Sequence, residues 1–526
     1  MKQFKIEQPM EKMEKMMEQN EIDNELFEKS AIKEDEQQKY LLTIFPLHSQ
    51  QITIVNREYL VNKFNENSNK NARLLISGSL LLDVHTIGSD VNLFCVAPGE
   101  RLKLSDFMGS DKNGKCVENK CKSEEADDAK SLFCQICEDK STAYLIKIES
   151  ASILLIRFAF DGIEFDISFV AVPKLKTFAQ KIDENELKSL LEHFDWSVNE
   201  QKHMLRSLSS FRSTLYIFNL FYKEAQQNVN ELNESRKTFQ NLLITLKIWA
   251  KNNYIYSNKI GFLNGIALAI MVAKIVLIYP NSTLPFLLDK FFLFYFARHP
   301  QIPIQLTKGN DISPNANLFL SDARELEMPV LTPTSLVQNA ARLVTHSNAK
   351  VIRRQMFDAL SQISSMKNRQ FELDSLLKNS IPFSQKFHNF IVINCVAEDK
   401  EEAEAFCDFV EWRMRLQIIF DIDKKGGGGI ETHLYPNVYQ ENCILTQKLV
   451  QISFRANHCK IWLLGIYGQN AISEGITAMA QSFDMTIKRH YFLKKVQNAN
   501  IRKIDDFFNT TKIELKSIMA KKEELI

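Results

Sequence analysis

Three oxygen-bearing side chains give the sequence its chemistry. Asp90 and Asn92 stand two apart in Asp90-Val91-Asn92-Leu93-Phe94, and Asp166 stands in Ile163-Glu164-Phe165-Asp166-Ile167-Ser168-Phe169. Side chains on a strand alternate between faces, so positions 90 and 92 point the same way. Ile163, Phe165, Ile167 and Phe169 form an apolar face, which leaves Asp166 on the polar one. Such groups on neighbouring strands, behind the Gly78-Ser79 turn, suit a hard divalent cation and the phosphates of a nucleotide. Two such cations can hold the attacking and leaving oxygens of an in-line displacement. Each aspartate taken alone reads as a surface acid at a strand end; the surrounding text decides between the two. Lys247 is a separate signal. Residues 239, 242, 243, 246, 249 and 250 make an apolar helical stripe, and Lys247 lies on it between Leu243 and Ala250. A charge there needs a partner such as a phosphate, or must snorkel to water along its stem.

Several elements must position these groups. Short apolar runs with period-two alternation fill residues 50–172 and predict strands. Two of them, 153–160 and 163–172, flank Asp161-Gly162, a hairpin signal. Residues 185–367 read as mostly helical. From about residue 380 the pattern predicts a strand at 390–396, an amphipathic helix at 400–416, strands at 417–423, 446–454 and 460–465, and a helix at 471–482. That order suggests a small α+β sandwich. Gly426 to Gly429 form a flexible loop within it.

A chain of 526 residues is too long for one core. With 45% hydrophobic and 25% charged residues, its composition is that of a soluble globular protein. A net charge of +1 gives no global support for nucleic-acid binding, so any basic surface is local. The N-terminal residues lack the apolar core of a secretory signal. The most apolar stretch, 260–279, is broken by Asn264 and Lys274 and reads as a buried helix rather than a membrane span. Nine cysteines without an export signal point to reduced thiols.

Gly78-Ser79, His85-Thr86, Gly88-Ser89-Asp90, Cys95-Val96-Ala97-Pro98 and Phe160-Asp161-Gly162-Ile163-Glu164-Phe165-Asp166 together resemble the catalytic domain of the eukaryotic poly(A) polymerase family. That family shares the nucleotidyltransferase fold of DNA polymerase beta. The resemblance continues through Lys247-Ile248-Trp249-Ala250-Lys251, Ile255-Tyr256-Ser257-Asn258, Gly261-Phe262-Leu263, Tyr279-Pro280-Asn281, Met328-Pro329 and Thr332-Pro333, and covers roughly residues 25 to 490. It implies a multidomain α+β fold: a palm-like mixed sheet with helices, a central helical domain and a C-terminal sandwich resembling an RNA-recognition module. The implied boundaries are a helical lead-in at 1–40, a catalytic domain at 41–205 with an insertion near 109–130, a central domain at 206–367, an RNA-binding domain at 368–500 and a charged helical tail at 501–526.

By the same resemblance Asp90 and Asp166 hold Mg²⁺ or Mn²⁺, with Asn92 at the position of the family's second aspartate. Gly78 and Ser79 touch the triphosphate, and Lys247 and Tyr256 contact phosphates. Asn258, Gly265 and Ile266 line the base and sugar site, and Thr332 lies at its edge. The implied activity is addition of adenylates from ATP to RNA 3′ ends. The implied setting is a nuclear monomer working with cleavage and polyadenylation factors, with the cytoplasm as the other compartment and no membrane association. The sequence departs from the family at Asn92, Ser209, Ile87, Asp83 and Asn264. An amide oxygen can ligate a cation but brings no charge. These departures set two rivals: an RNA-binding or scaffold paralogue, and a terminal nucleotidyltransferase with another nucleotide preference.

Three weaker signals remain. Cys116, Cys121, Cys134 and Cys137 have loosely zinc-like spacing, against simple packing of the last two in a helix. Lys488-Arg489-His490, Lys494-Lys495 and Arg502-Lys503 suit RNA phosphates or a solvated helix face. Phe390, Phe454 and Trp462 suit base stacking or core packing, and core packing is the default.

Overall fold

The computed structural model describes residues 73–86, 89–98, 104–108, 131–148, 154–160, 162–172, 199–222, 229–299, 302–306, 327–334, 337–366, 373–378, 381–425, 429–437, 439–440, 458–468, 474–495 and 503–525. Two sheets and a helical body between them in sequence make a mixed α+β protein.

In the first sheet, β1 (Arg73–Ser77) runs directly into a short helix, α1 (Gly78–Leu81). It is followed by β2 (Val91–Pro98), β3 (Thr142–Ile148), β4 (Leu155–Phe160) and β5 (Ile163–Val172). The order is β1-β2-β5-β4-β3, with β2 and β5 parallel and the other pairs antiparallel. Alternation feeds two cores. Val91, Leu93, Cys95 and Ala97 pack with Phe158, Phe165 and Ile167 on one face, while Phe94, Val96, Val170 and Val172 meet Leu208 and Phe211 on the other. Burial on both faces is the usual setting of parallel strands. The expected hairpin is present: Phe160 faces Ile163, and Gly162 takes φ +76°, a left-handed conformation that glycine reaches without a Cβ penalty.

The helical body contains α2 (Asn199–Tyr222), α3 (Val229–Asn252) and α4 (Gly265–Ile278), then helices Leu284–Ala297 and His346–Met366. Ala267 to Ala273 of α4 are all buried, as are Ile275 and Val276. A helix apolar all round belongs inside a core, so α4 is the axis of this body. Among the described residues no helix is long and apolar enough to cross a membrane.

The second sheet has β6 (Asn389–Ala397), β7 (Glu431–Leu434), β8 (Tyr439–Gln440), β9 (His458–Tyr467) and β10 (Ile513–Lys521). It runs β10-β6-β9-β7, with β8 also on β9, all antiparallel. Ile391, Ile393 and Cys395 pack with Phe406 and Val410 of helix Lys400–Met414 and with Ile476, Phe483 and Ile487 of helix Glu474–Lys495.

Two expectations are corrected. Residues 417–423 are not a strand: helix Lys400–Met414 continues through a π turn, Arg415–Ile419, into helix Phe420–Lys425. Met414, Ile418, Ile419 and Ile422 are buried while Leu416 and Phe420 are exposed, a helical spacing that mimics alternation over a short window. Within the expected tail at 501–526, the described residues 503–525 are not a solvated helix. Helix Ile504–Thr511 leads into β10, which pairs with β6 along its whole length and buries Ile513, Leu515 and Ala520. The predicted strand at 446–454, the insertion at 109–130 and the lead-in at 1–40 lie outside the described residues.

Candidate functional site

A cavity of about 410 Å³ opens between the first sheet and the helical body. Its walls come from α1, the segment leading into β2, one face of α3, and the start of α4.

The sheet contributes one transverse row of side chains. Ser77 on β1 faces Asn92 on β2, Asn92 faces Asp166 on β5, and Asp166 faces Arg157 on β4. Arg157 Nε and Nη2 donate to Oδ1 and Oδ2 of Asp166, both at 2.7 Å. Asp90 lies two residues before Asn92 and accepts a hydrogen bond from its side chain. Burial, and then the charge of Asp166, raises the Asp90 carboxyl above its ordinary value; Arg157 and the Asn92 amide act the other way. Two carboxylates and an amide therefore share one face. Among the described residues no group of three or more His, Cys, Asp or Glu side chains could hold a metal, and Asn92 is the reason this row holds only two. By charge and donor type the row fits one divalent cation on Asp90, the Asn92 oxygen and Asp166. It does not supply the anionic oxygens for two.

At the end of β1, Gly78 adopts φ +66°, which turns the chain sharply into α1 and brings Ser79 to the cavity wall. Residues after α1 are clasped by α3. Tyr222 of α2 donates to the Leu82 carbonyl, and Gln240 Nε2 reaches Asp83 Oδ2 at 3.2 Å. Asp83 sits at φ +52°, a left-handed conformation that its short polar side chain tolerates. Further along α3, Lys247 Nζ donates to the Val84 carbonyl at 2.9 Å, and Lys251 Nζ to Thr86 Oγ1 at 3.0 Å. Thr86 N donates in turn to Ser89 Oγ at 2.9 Å, which fixes the turn just before Asp90. Arg236, Gln240, Lys247 and Lys251 thus run along the edge of the apolar stripe of α3 that meets this segment.

Lys247 is only 5% exposed. Burial, then the charge of Lys251, pushes its amine down to about 8, with Asp90 opposing. Burial also lowers Lys251. Two lysines pressed into one wall and bonded, among the described residues, to neutral oxygens at Val84 and Thr86 have charge to offer an anion. The α4 N-terminus adds to this, because its first turn carries the positive end of the helix dipole. Asn264 caps it, accepting from Ala267 N at 2.8 Å and donating through Nδ2 to the Ala340 carbonyl at 3.0 Å. Asn264 is therefore a built structural residue here, and Gly265 and Ile266 follow it along the wall. Tyr256 is held neutral by burial, and the Asp90 charge raises its phenol further.

The cavity brings together Gly78, Ser79, Asp90, Asn92, Lys247, Tyr256, Asn258, Gly265 and Ile266. Asp166 stands beside Asn92 just outside its lining. Thr332 is not in the lining: it is buried, and its hydroxyl accepts from Gln338 N at 2.9 Å, so it closes a loop rather than edging the pocket. Ser209 is buried too, whereas Ser210 and Thr214, on neighbouring positions of the α2 face, reach the wall. Ile87 lies outside the described residues. Sequence reasoning missed Arg157, Lys251, Thr86 and Ser89 as parts of the site. The signals were available for two of them. A hairpin in which 160 faces 163 places 157 opposite 166, and Lys251 is four residues after Lys247.

The other predicted sites fall elsewhere. Cys134 and Cys137 sit on helix Leu132–Glu138, the latter buried; Cys116 and Cys121 lie outside the described residues. Phe390 and Trp462 are buried in the second sheet's cores. Lys488, Arg489 and His490 lie on helix Glu474–Lys495.

Comparison with known proteins bears on what this site belongs to. Residues 238–379 match the poly(A) polymerase central domain. The chain is 23% identical over 435 residues to nuclear poly(A) polymerase 4 of Arabidopsis thaliana, covering 81% of this chain and 51% of that protein. It is 24% identical over 449 residues to nuclear poly(A) polymerase 2 of the same plant, covering 82% and 48%. These matches support the poly(A) polymerase family, with the family model itself confined to the central domain. It spans about half the length of the curated relatives it matches. Among solved structures, the Cid1 poly(U) polymerase aligns over 62% of this chain and 93% of its own at 13% identity, with a TM-score of 0.40. A likeness that loose carries no argument about function.

Proposed function

We propose that this chain is a poly(A) polymerase that transfers adenylates from ATP to RNA 3′ ends by terminal nucleotidyl transfer. The observation that carries the reading is the meeting, in one cavity, of Asp90 and Asn92 with Lys247, Lys251, Tyr256 and the α4 N-terminus. The lysines and the helix end would take the triphosphate, so that charge developing on the departing pyrophosphate finds donors already in place. Asn258, Gly265 and Ile266 would line the nucleoside end. Asp90 and Asp166 would hold Mg²⁺ or Mn²⁺ with the Asn92 oxygen. When bound, that ion supplies Lewis-acid stabilisation of the phosphoryl oxygens. Fixing the nucleotide between the sheet side and the helical side of the cavity would supply orientation, a large part of the acceleration in such reactions. The names of the relatives favour a nuclear setting, and pre-mRNA cleavage and polyadenylation factors would recruit the enzyme.

A second reading is favoured by the row Asn92–Asp166–Arg157, which is poor in free negative charge. In it the chain is a paralogue that keeps the nucleotide pocket and serves as an RNA-binding or scaffold subunit. A short RNA primer offered each of the four nucleoside triphosphates with Mn²⁺ separates the readings. Extension with ATP alone is expected. Extension with UTP instead moves the chain to another nucleotide preference, and no extension with any nucleotide removes the polymerase reading.

A further inference from the structure

The partner of Asp166 is its cross-strand neighbour. We propose that Arg157 is a positioning residue that competes with the divalent cation for Asp166 and so sets the cation affinity of the site. The proposal rests on the metal role of Asp90 and Asp166 in the reading above.

The geometry is that of a bidentate fork. Nε and Nη2 of Arg157 each donate at 2.7 Å, to different oxygens of Asp166. A planar guanidinium matched to a carboxylate in this way is among the stronger charge-assisted pairs. Neither side chain is free to dissolve the pair in water, with exposures of 26% for Arg157 and 11% for Asp166. The strand register holds them together as well, since β4 and β5 are joined by a tight hairpin. Both oxygens that would face a cation are thus already engaged by a positive group. Next along the row stands Asn92, which brings no charge. Asp90 and Asp166 carry two negative charges between them and Arg157 returns one. A cation entering the row therefore meets one uncompensated carboxylate, Asp90, and must share Asp166 with the guanidinium or take it away. Removing the guanidinium frees the second carboxylate without touching any proposed ligand.

Mn²⁺ binding to the full chain, measured by titration calorimetry without nucleotide, tests this with natural protein, R157Q, R157K and D90A. R157Q is expected to bind Mn²⁺ about tenfold more tightly, in line with the effect of one neighbouring opposite charge on ion binding at a carboxylate. R157K cannot form the fork and is expected to fall between natural protein and R157Q. It keeps the positive charge beside Asp166, so its affinity decides the matter if R157Q fails to fold. D90A is expected to lose Mn²⁺ binding. If neither Arg157 variant binds more tightly than natural protein while D90A still loses binding, the competition is wrong and the metal reading stands. If D90A binds as natural protein does, the metal reading and the competition fall together.

Discussion

Asn92 stands directly opposite Asp166 on the neighbouring parallel strand, and its amide donates to Asp90 two residues before it. One neutral side chain therefore stands between two carboxylates, and the charge of Asp166 still raises Asp90 across it. Asn92 thus ties Asp90 to the row through a hydrogen bond and adds no charge to it.

Asn92→Asp should cost stability when no divalent cation is present. Like charges directly opposite on paired strands are destabilising. Added Mn²⁺ should recover the loss, because a ligand that binds only the native state stabilises it. Urea unfolding in EDTA and in Mn²⁺ measures both. A variant as stable as natural protein in EDTA would show that Asn92 does not relieve repulsion.

Lys247 gives the site a pH dependence. Its amine is pushed down to about 8, so for binding that needs the charged form the affinity falls as pH rises through that value. Between pH 7 and 9 the protonated fraction drops about tenfold, and affinity for a non-hydrolysable ATP analogue should drop with it. Stability runs the other way. The unfolded lysine titrates near 10.4, so between pH 8 and about 10.4 the unfolded chain binds more protons than the native one, and the Lys247 contribution to stability rises with pH. Lys247→Arg, which stays charged, should bind the analogue with little change from pH 7 to 9. Calorimetry across that range checks the contrast, and a flat profile for natural protein would contradict it.

Asn264 is expected to act as a cap rather than as a loss of function. Replacing an N-cap asparagine with alanine costs ~0.5–2 kcal/mol, and with glycine only a few tenths. Asn264→Ala should therefore lower the denaturation midpoint measurably more than Asn264→Gly. The bond to the Ala340 carbonyl is lost in both and shifts them equally. Equal midpoints for the two variants would show that the cap contributes nothing.

The elements that carry the site were legible because their signals are local. Asp161-Gly162 between alternating runs announced the β4–β5 hairpin, and the stripe on residues 237–251 announced α3. The cavity itself was legible only through family wording, since nothing local brings Asp90 to Lys247 across more than 150 residues of chain. Elements fixed by distant pairing were lost. Ile513, Glu514, Leu515 and Lys516 do alternate, yet β10 exists because β6, more than 110 residues earlier, offers it an edge. Residues 417–423 failed for the opposite reason: a helix that buries one side and exposes Leu416 and Phe420 on the other looks like a strand over seven residues. For Thr332, a motif match fixes the residue's place in a loop and not the direction of its hydroxyl, which accepts from Gln338 N.

The proposed function requires Asp90 and its row to support nucleotidyl transfer despite Asn92. The most direct measurement is single-turnover extension of a short RNA primer with ATP and Mn²⁺, by natural protein, Asp90→Ala and Asn92→Asp. Slow extension by natural protein is expected, with none by Asp90→Ala and extension at least ~10-fold faster by Asn92→Asp, the scale of lesser losses around metal ligands. Extension by Asp90→Ala equal to that of natural protein, or no extension by any of the three, would contradict it.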